Sequence, residues 1–231
     1  AKKQALKKGL MQQLLSGRVR FPEFVPPGGT RYTETKVGVV PEDWEVVKLG
    51  KAFKERKETG FDSLELLSIG ANGVYPQNES DKRDISNQNK SKYKRICKGD
   101  IGYNTMRMWQ GRSAVSNLEG IVSPAYTIVI PQKMVDVEYA GYLFRHTPII
   151  HIFWRYSQGL VSDTLNLKYN HFKQIELPFP SLEEQKRIAS LLSNADKEIA
   201  SLESDKNLFE TQRKGLMQQL LTGAVRVKEI D

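Results

Sequence analysis

The stretch Lys8-Gly-Leu-Met-Gln-Gln-Leu-Leu-Ser-Gly-Arg-Val-Arg20 near the start of the chain recurs near its end as Lys214-Gly-Leu-Met-Gln-Gln-Leu-Leu-Thr-Gly-Ala-Val-Arg226. Eleven of the thirteen positions are identical, at a fixed offset of 206 residues. This offset is far wider than the roughly 20–50 residues of solenoid repeats. The repeat therefore predicts one unit, a globular domain plus a long helix, of the kind that a tandem duplication produces.

The C-terminal copy closes a long segment with helical periodicity. Ser181-Leu-Glu-Glu184 predicts a capping box, in which the serine hydroxyl accepts from the Glu184 amide and the glutamate side chain accepts from the serine amide. From there to residue 222, apolar side chains recur at spacings of four and three residues, as in a coiled coil. The positions predicted to face a partner helix are Ile188, Leu192, Ala195, Ile199, Leu202, Phe209, Leu216 and Leu220, with Lys206 and Arg213 as polar interruptions.

Such a helix could lie on its own domain or pair with another helix. About 40 helical residues extend about 60 Å, which is farther than one domain of this size, so we expect a partner helix. Residues 1–20 carry Leu6, Leu10 and Leu14 on one face and Gly17 at the stop position, which predicts a helical stub equivalent to the end of an earlier copy. In a tandem protein the two helices would pair antiparallel. In a chain with one unit, homodimerisation through the helix at 181–222 would rebuild that pairing.

The segment between the stub and the long helix has a β-like texture. After a Pro- and Gly-rich linker at 21–31, residues 32–180 carry short β-favouring runs, turns and two helical patches. Strands and helices do not alternate regularly, so we expect a mixed α/β (α+β) domain with a curled mixed or antiparallel sheet. A short tail at 223–231 follows the long helix. The predicted strands are 45–49, 64–69, 100–104, 113–115, 125–130 and 174–178, and the predicted helices are 137–146 and 149–156.

Composition narrows the class of protein. The chain has 35 Lys and Arg against 27 Asp and Glu, a net charge of +8, which suits a polyanionic partner but also occurs in ordinary soluble proteins. The single cysteine, Cys97, excludes an internal disulfide and a multi-cysteine zinc site. The sequence has neither a run of 18 apolar residues nor an apolar signal segment. We therefore expect a cytoplasmic protein with no membrane association.

Three segments, at 82–98, 104–112 and 155–170, combine basic, amide and aromatic side chains in ways that suit DNA. Lys and Arg neutralise phosphates, while Arg and Gln or Asn can form paired hydrogen bonds with guanine and adenine edges. Plain structural interpretations stay open: a solvated charged face, a core tryptophan beside an ion-paired arginine, and a surface turn. The candidate DNA-binding residues are Lys90, Lys92, Tyr93, Lys94, Arg95, Arg107, Trp109, Gln110, Arg112, Tyr156, Gln158, Lys168 and Asn170.

Signals for catalysis or metal binding are weak. Ser123-Pro-Ala-Tyr126 resembles the Ser/Asn/Asp-Pro-Pro-Tyr loop of amino-methyltransferases, but Ala125 replaces the second proline and a Gly-rich cofactor loop is absent. His146, His151 and His171 lack zinc-ligand spacing. We therefore predict that this chain holds no catalytic residues, no metal site and no cofactor.

In their order along the chain, these features resemble the specificity subunit of type I restriction-modification enzymes. The resemblance spans nearly the whole sequence. It rests on Gly38-Val-Val-Pro-Glu-Asp-Trp44, Gly99-Asp-Ile-Gly-Tyr-Asn104, Arg107-Met-Trp-Gln-Gly111, Gly120-Ile-Val-Ser-Pro-Ala-Tyr126, Ser157-Gln-Gly159, Leu165-Asn166-Leu167, Ile175-Glu-Leu-Pro-Phe-Pro-Ser-Leu-Glu-Glu-Gln-Lys-Arg-Ile188 and the Gly-Leu-Met-Gln-Gln-Leu-Leu repeat.

The resemblance implies a DNA target-recognition domain at 32–180, followed by the long helix that the family uses as a spacer between two DNA-reading domains. Such subunits are not catalytic. Methyltransferase subunits bring S-adenosylmethionine, and the restriction or translocase subunit brings ATP and Mg. This sequence has one recognition domain where the family usually has two, which implies a half-subunit, a fragment or a truncated form that reads one half of a split site and pairs as a homodimer.

Two other functions stay open on the sequence. The chain could be the recognition portion of a fused restriction-methylation enzyme, or a methyltransferase built around residues 123–126. It could also be an oligomerisation adaptor that binds protein and not DNA. Binding to DNA would fall steeply with added salt, whereas binding of an adaptor to protein would not.

Overall fold

All the strands found among the described residues lie in the larger of the two units into which the chain divides. The computed structural model describes residues 2–70, 73–79, 89–161 and 164–226. The larger unit comprises Met11–Ala189, and the smaller unit comprises Ala1–Leu10 with Ser190–Asp231. The strands are β1 Tyr32–Thr35, β2 Gly38–Pro41, β3 Glu45–Lys48, β4 Phe53–Arg56, β5 Leu67–Gly70, β6 Gly73–Pro76, β7 Lys94–Ile96, β8 Ile101–Asn104, β9 Ser113–Val115, β10 Gly120–Val122, β11 Tyr126–Pro131 and β12 Glu176–Phe179. The α-helices are α1 Lys2–Leu15, α2 Leu49–Ala52, α3 Val137–Leu143, α4 Thr147–Tyr156, α5 Tyr169–Phe172 and α6 Leu182–Leu221, and short 3₁₀ turns lie at Pro22–Phe24, Gln77–Glu79 and Met108–Gln110.

The central sheet has four strands in the order β4-β11-β8-β9, with each neighbouring pair antiparallel. Thr127, Ile128 and Val129 of β11 are buried, and their β-branched side chains suit a pleated surface. In β8, Gly102 leaves room for the side chain of Ile69, which a Cβ at that position would overlap. The other named strands form the antiparallel pairs β1–β2, β3–β12, β5–β6 and β7–β10.

An aromatic cluster packs α4 and α5 against this sheet. The ring centroid of Phe144 lies 5.2 Å from that of Phe53 and 5.4 Å from that of Phe153 in α4. Phe172 in α5 lies 5.4 Å from Tyr103 of β8. All five rings are fully buried, and large buried aromatic surfaces contribute strongly to core stability. The cluster therefore fixes the positions of two helices that carry candidate residues.

The observed architecture agrees with the predicted one in outline. It is a mixed α/β fold with the short helix α1 at the N-terminus and the long helix α6 at the C-terminus. The strand predicted at 113–115 is β9, and the helix predicted at 149–156 lies within α4. Six strands were not predicted: β1, β2, β4, β6, β7 and β10. Each has three or four residues, and periodicity alone does not identify strands of that length. Of these, β7 falls inside the basic segment at 82–98.

The last residues of the N-terminal copy of the repeat, 14–20, belong to the larger unit and are packed within it. Leu14 and Leu15 are each only 4% exposed. Gly17 has φ 67°, the left-handed conformation that favours glycine, and a Cβ there would lie 2.5 Å from the ring of Pro41. Glycine is required at this position both by its backbone conformation and by the close approach. The predicted stop signal is thus the point where the stub helix meets the domain.

Helix α6 begins with only half of the predicted capping box. The Ser181 hydroxyl accepts from the Glu184 amide at 3.2 Å, as predicted. The reciprocal bond was predicted wrongly, because both carboxylate oxygens of Glu184 accept from Arg20 instead, at 2.9 and 2.8 Å. A buried carboxylate is stabilised more by a guanidinium than by one amide, so the distant partner takes precedence over the local one.

The smaller unit contains an antiparallel helix pair. Lys3 pairs with Glu198 at 2.7 Å and Lys7 with Asp196 at 2.5 Å, so the partner number falls as the number in α1 rises. Apolar side chains of both helices line a shallow groove between them: Leu6, Leu10, Leu191, Ala195 and Ile199. The stub and the long helix therefore pair within this chain, in the orientation that the sequence predicts for a tandem protein.

The predicted seam of α6 divides into a covered part and an exposed part. Ile188 and Leu192 are buried in this chain, so their side chains are not available to a partner. Ala195 and Ile199 are half-buried. Leu202, Phe209, Leu216 and Leu220 are all exposed, Phe209 to 66%. Among the described helices, none combines the length and apolarity that a membrane span requires.

Candidate DNA interface

The loop at 105–112 joins β8 to β9 and is held in one shape by its own backbone. The Asn104 side-chain oxygen accepts from the Met106 amide at 2.9 Å, and the Asn104 carbonyl accepts from the Arg107 amide at 3.0 Å. Met108, in the 3₁₀ turn, is fully buried and anchors the loop. Gly111 closes the turn with φ 73°. As a result three of the candidate side chains are exposed together: Arg107, Gln110 and Arg112.

Trp109 supports the loop from one side. Its indole Nε1 donates to the Met106 carbonyl at 2.9 Å, and the ring is half-buried. The ring therefore stiffens the segment between Met106 and Gln110, and part of it stays accessible. A rigid loop loses little conformational freedom when it binds, which favours specific recognition.

Thr105 connects this loop to two other parts of the chain. Its amide and its hydroxyl both donate to the Ala125 carbonyl, at 3.2 and 3.0 Å. Its carbonyl accepts from the Leu167 amide at 2.8 Å. The structure thus brings the second and third predicted segments together, although they lie about 50 residues apart in sequence.

The third segment is an antiparallel bridge beside that junction. Gln158 and Asn166 exchange backbone hydrogen bonds of 2.9 and 2.8 Å. Gln158, Lys168 and Asn170 are exposed, and Tyr156 is half-buried. The bridge presents these polar side chains on the surface that also carries the loop at 105–112.

Helix α4 adds residues that the sequence analysis did not select. It packs beside the loop, since a Cβ on Gly111 would lie 2.7 Å from Cδ1 of Ile150. On its exposed side, His151 and Trp154 stack with ring centroids 5.4 Å apart, and Arg155 is exposed next to them. The signal was present in the sequence: Ile149, Ile152 and Phe153 are the buried face, so His151, Trp154 and Arg155 fall opposite.

The combined surface is positively charged. It carries Arg107, Arg112, Arg155 and Lys168, and the described residues of 105–112, 147–161 and 164–170 include no Asp or Glu. Asp163 lies outside the described residues. Clustered cations attract phosphates and release counterions on binding. The arrangement suits a DNA backbone with base-reading side chains at its centre.

The basic segment at 82–98 has a different role in its described part, since several of its side chains serve the fold. Tyr93 is only 7% exposed. Lys94 is half-buried and donates to the Tyr126 carbonyl at 2.6 Å, and burial lowers the pKa of Lys94. Arg95 pairs with Glu58 at 2.8 Å and with Glu119 at 2.5 Å.

Fewer basic side chains of that segment are accessible to DNA than the sequence suggested. Lys92 and Lys98 are exposed and Lys90 is half-buried. Residues 82–88 lie outside the described residues, so the first half of the segment is not placed. The three lysines are suited to phosphate contacts.

The methyltransferase-like segment at 123–126 is a closed turn. The Ser123 hydroxyl accepts from the Ala125 amide at 3.4 Å, and the Ser123 carbonyl accepts from the Tyr126 amide at 3.0 Å. Both oxygens of Ser123 therefore accept hydrogen bonds within the turn. In the described part of the chain, no group of three or more His, Cys, Asp and Glu residues is arranged to hold a metal ion.

Comparison with known proteins gives consistent matches. The family model of the type I restriction modification DNA specificity domain matches residues 41–209. The type I restriction enzyme MjaVIII specificity subunit of Methanocaldococcus jannaschii is 27% identical in an alignment of 245 positions. The alignment covers 97% of this chain and 55% of that subunit. The putative MjaX specificity subunit of the same organism is 26% identical over 212 residues, which cover 84% of this chain and 49% of that subunit.

Two solved structures share the fold. The HsdS subunit from Thermoanaerobacter tengcongensis superposes with a TM-score of 0.52 at 18% identity, covering 96% of this chain and 51% of HsdS. A chain from a structure of a type I restriction-modification system gives a TM-score of 0.54 at 18% identity, covering 95% of this chain and 53% of that chain.

These comparisons fix the family. The chain spans about half the length of the curated relatives it matches. Those relatives are specificity subunits, the non-catalytic components of their enzymes. Because the family model covers well over half of the sequence, this chain belongs to the family of type I restriction-modification DNA specificity domains.

Proposed function

We propose that this chain is a non-catalytic, sequence-specific DNA-binding unit of a type I restriction-modification system, which reads one half of a bipartite site. The observation that carries the proposal is the rigid loop at 105–112, which exposes Arg107, Gln110 and Arg112 together; the described residues of 105–112, 147–161 and 164–170 include no Asp or Glu. In a chain of this family, such a surface is the natural place for base contacts.

The side chains of this loop match the chemistry of the major groove. An arginine can donate two hydrogen bonds to O6 and N7 of guanine, and a glutamine can pair with N6 and N7 of adenine. Each such pair contributes about 1–3 kcal/mol of discrimination against the wrong base. Arg107, Gln110 and Arg112 are therefore the proposed base-reading residues, and Trp109 positions them.

The lysines around the loop supply phosphate contacts. Lys90, Lys92 and Lys168 carry no base-specific geometry, because an ammonium group is a compact point charge. They raise the affinity for any sequence and make it sensitive to salt. Together with Tyr156, Gln158 and Asn170 they form the rim of the proposed interface.

The exposed part of the α6 seam supports the rest of the proposal. Leu202, Phe209, Leu216 and Leu220 form an apolar stripe at heptad spacing that a second helix would cover. Pairing of two copies through this stripe gives a homodimer with two DNA-reading heads, which suits a symmetric split site. Methyltransferase subunits, and a restriction or translocase subunit where present, would dock on this assembly and bring S-adenosylmethionine, ATP and Mg.

The test is selection of bound duplexes from a random-sequence pool, with the methyltransferase subunit present. We expect the wild-type chain to enrich one half-site, and Arg107→Ala or Gln110→Ala to change the enriched bases at particular positions. The matched control is Lys92→Ala, which should weaken binding to all sequences and reduce the slope of log K against log salt by about 0.9. Failure to enrich any sequence, or the same enriched motif for all variants, would contradict the proposal.

The adaptor alternative makes the opposite prediction in the same experiment. An oligomerisation adaptor without DNA function would retain no duplex at moderate salt, and its protein partner would bind equally well at low and high salt. The cations in the described residues of 105–112, 147–161 and 164–170 favour the DNA proposal.

A further inference from the structure

The antiparallel bridge between Gln158 and Asn166 leads into a turn that presents two aliphatic side chains to solvent. Leu160 is fully exposed, and Val161 is 61% exposed. Among the large apolar residues that the structure describes in the larger unit, these two are the most exposed. A leucine without cover from its own chain adds nothing to the core, whereas burying it against a partner is favourable.

The turn that carries these side chains is held in shape by its own backbone. The amide and the hydroxyl of Thr164 both donate to the Val161 carbonyl at 2.9 Å, and the same hydroxyl accepts from the Val161 amide at 3.3 Å. Gly159 has φ 149°, and a Cβ there would lie 2.7 Å from the Thr164 carbonyl group, so the two sides of the turn are in close contact. Because this backbone is already ordered, binding through the turn costs little conformational freedom.

The turn lies next to the loop that is proposed to read bases. The Leu167 amide, one residue beyond the bridge, donates at 2.8 Å to the carbonyl of Thr105, where the loop at 105–112 begins. Leu160 follows the exposed Gln158 by two residues, a reach of at most about 7 Å. A duplex bound at the loop would therefore meet the aliphatic side chains of the turn as well.

The form of this apolar surface suits DNA insertion better than protein docking. A protein interface buries a broad patch with an apolar centre, whereas here two side chains stand on a narrow turn between the exposed polar residues Gln158 and Thr164. The exposed cations Arg155 and Lys168, three and two residues from the bridge, can hold phosphates. Proteins that kink DNA insert side chains such as leucine between base steps and partly unstack them.

We propose that Leu160, supported by Val161, inserts between two adjacent base pairs of the bound DNA and kinks the duplex there. This inference rests on the proposed DNA-binding function and adds a second way of selecting sequence. An aliphatic side chain cannot form the paired hydrogen bonds that identify a base. It selects instead for the steps that unstack most easily, TA and CA/TG. The preferred substrate is therefore a half-site with a pyrimidine–purine step at the position of the turn.

Selection of duplexes from a random-sequence pool tests the insertion, with the full chain and the methyltransferase subunit present. We expect the wild-type motif to contain one pyrimidine–purine step whose enrichment falls severalfold with Leu160→Ser, while the bases that depend on Arg107 stay enriched. Leu160→Met keeps a long apolar side chain and should retain the step. The matched control is Val46→Ser, which removes another exposed aliphatic side chain of the larger unit and should change neither feature. Because Leu160 is fully exposed, its substitution leaves the fold intact.

Two measurements on the enriched duplex distinguish a kink from a simple contact. Fluorescence resonance energy transfer between dyes at the two duplex ends should report a shorter distance with the wild type and Leu160→Met than with Leu160→Ser. A nick at the selected step removes in advance part of the stacking that insertion disrupts. The nick should raise the affinity of the wild type by about tenfold, and that of Leu160→Ser much less.

The outcomes separate failure of the insertion from failure of the proposed function. A wild-type chain that enriches no sequence overturns both. A motif that depends on Arg107 but is the same for Leu160→Ser, with equal energy transfer, overturns the insertion alone. Loss of methyltransferase binding by Leu160→Ser, with the motif and the bend unchanged, would assign the turn to a protein contact and would also overturn the insertion.

Discussion

The strongest stability prediction concerns Arg20→Ala, which removes the cation from a buried ion pair. The Arg20 side chain is 3% exposed and that of Glu184 is 2% exposed, and they share two hydrogen bonds. Hydrogen bonding to Glu184 is the largest of the effects that raise the pKa of Arg20, followed by hydrogen bonding to Asp43. After the substitution, Glu184 keeps its burial and loses its counter-charge.

The expected cost follows from that burial. Breaking a buried pair by removing one partner destabilises a protein by about 3–5 kcal/mol, because the remaining charge is left desolvated. The contact with Asp43, whose side chain is 44% exposed, adds less than about 1 kcal/mol. For a domain of this size, we expect a melting temperature lower by roughly 6–20 °C.

Urea unfolding followed by tryptophan fluorescence measures this effect, since Trp44 is buried beside Gly17. Two controls match the substitution: Asp43→Ala should cost less than about 1 kcal/mol, and Arg226→Ala, at the equivalent exposed position, should cost nothing measurable. Adding Glu184→Gln to Arg20→Ala should recover part of the loss, because it removes the unpaired charge. A cost for Arg20→Ala that equals that of Asp43→Ala would refute the argument that the pair is desolvated.

Three further predictions address other parts of the chain. Phe209→Glu places a charge in the exposed seam and should convert a dimer to a monomer in light scattering without lowering the melting temperature; an unchanged mass would exclude the seam as the dimer contact. Burial lowers the pKa of His146 to about 4, below its unfolded value of about 6.5. The free energy of unfolding is therefore highest above pH 6.5 and falls, by about 3 kcal/mol at most, as the pH drops toward 4. His146→Phe should reduce this dependence on pH, as measured by urea unfolding at several pH values. Gly111→Ala and Gly99→Ala both place an alanine at a left-handed φ, of 73° and 83°. At Gly111 the Cβ would also lie 2.7 Å from the terminal Cδ1 of Ile150, which must move, so Gly111→Ala should cost slightly more in urea unfolding; a larger cost for Gly99→Ala would contradict this contact between the loop and α4.

Local sequence patterns predicted those elements whose formation depends on interactions between residues close in sequence. The start of α6 follows from the cap at Ser181, the helix at 149–156 from its periodicity, and the strand at 113–115 from a short β-favouring run between turns. The sequence predicted antiparallel pairing of the two helices for a tandem protein, and pairing with a second copy for a chain with one unit; in this structure the stub itself lies antiparallel to the long helix. The family was predictable from the order of its motifs.

Contacts between distant residues account for what the sequence did not reveal. Arg95 was a candidate for DNA, but it pairs with Glu58, 37 residues away, and its guanidinium lies 4.7 Å from the centre of the Phe61 ring. Ile188 follows the heptad rule and is nevertheless covered by its own chain. Periodicity places apolar side chains on one face of a helix, but it does not identify the surface that covers this face. Trp154 was missed for the converse reason, since large aromatic residues are usually assigned to the core.

The pairing of β3 with β12 has a consequence for how new DNA specificities can arise. Glu45–Lys48 lies against Glu176–Phe179, so the two ends of the intervening 130 or so residues are held side by side. Arg20 and Glu184 fasten the same region from outside it. A segment whose termini are adjacent can be exchanged as a cassette with little disturbance to what flanks it. Recombination between relatives at these two boundaries would therefore transfer the whole proposed DNA-reading segment in one step, while the flanking helices stay unchanged.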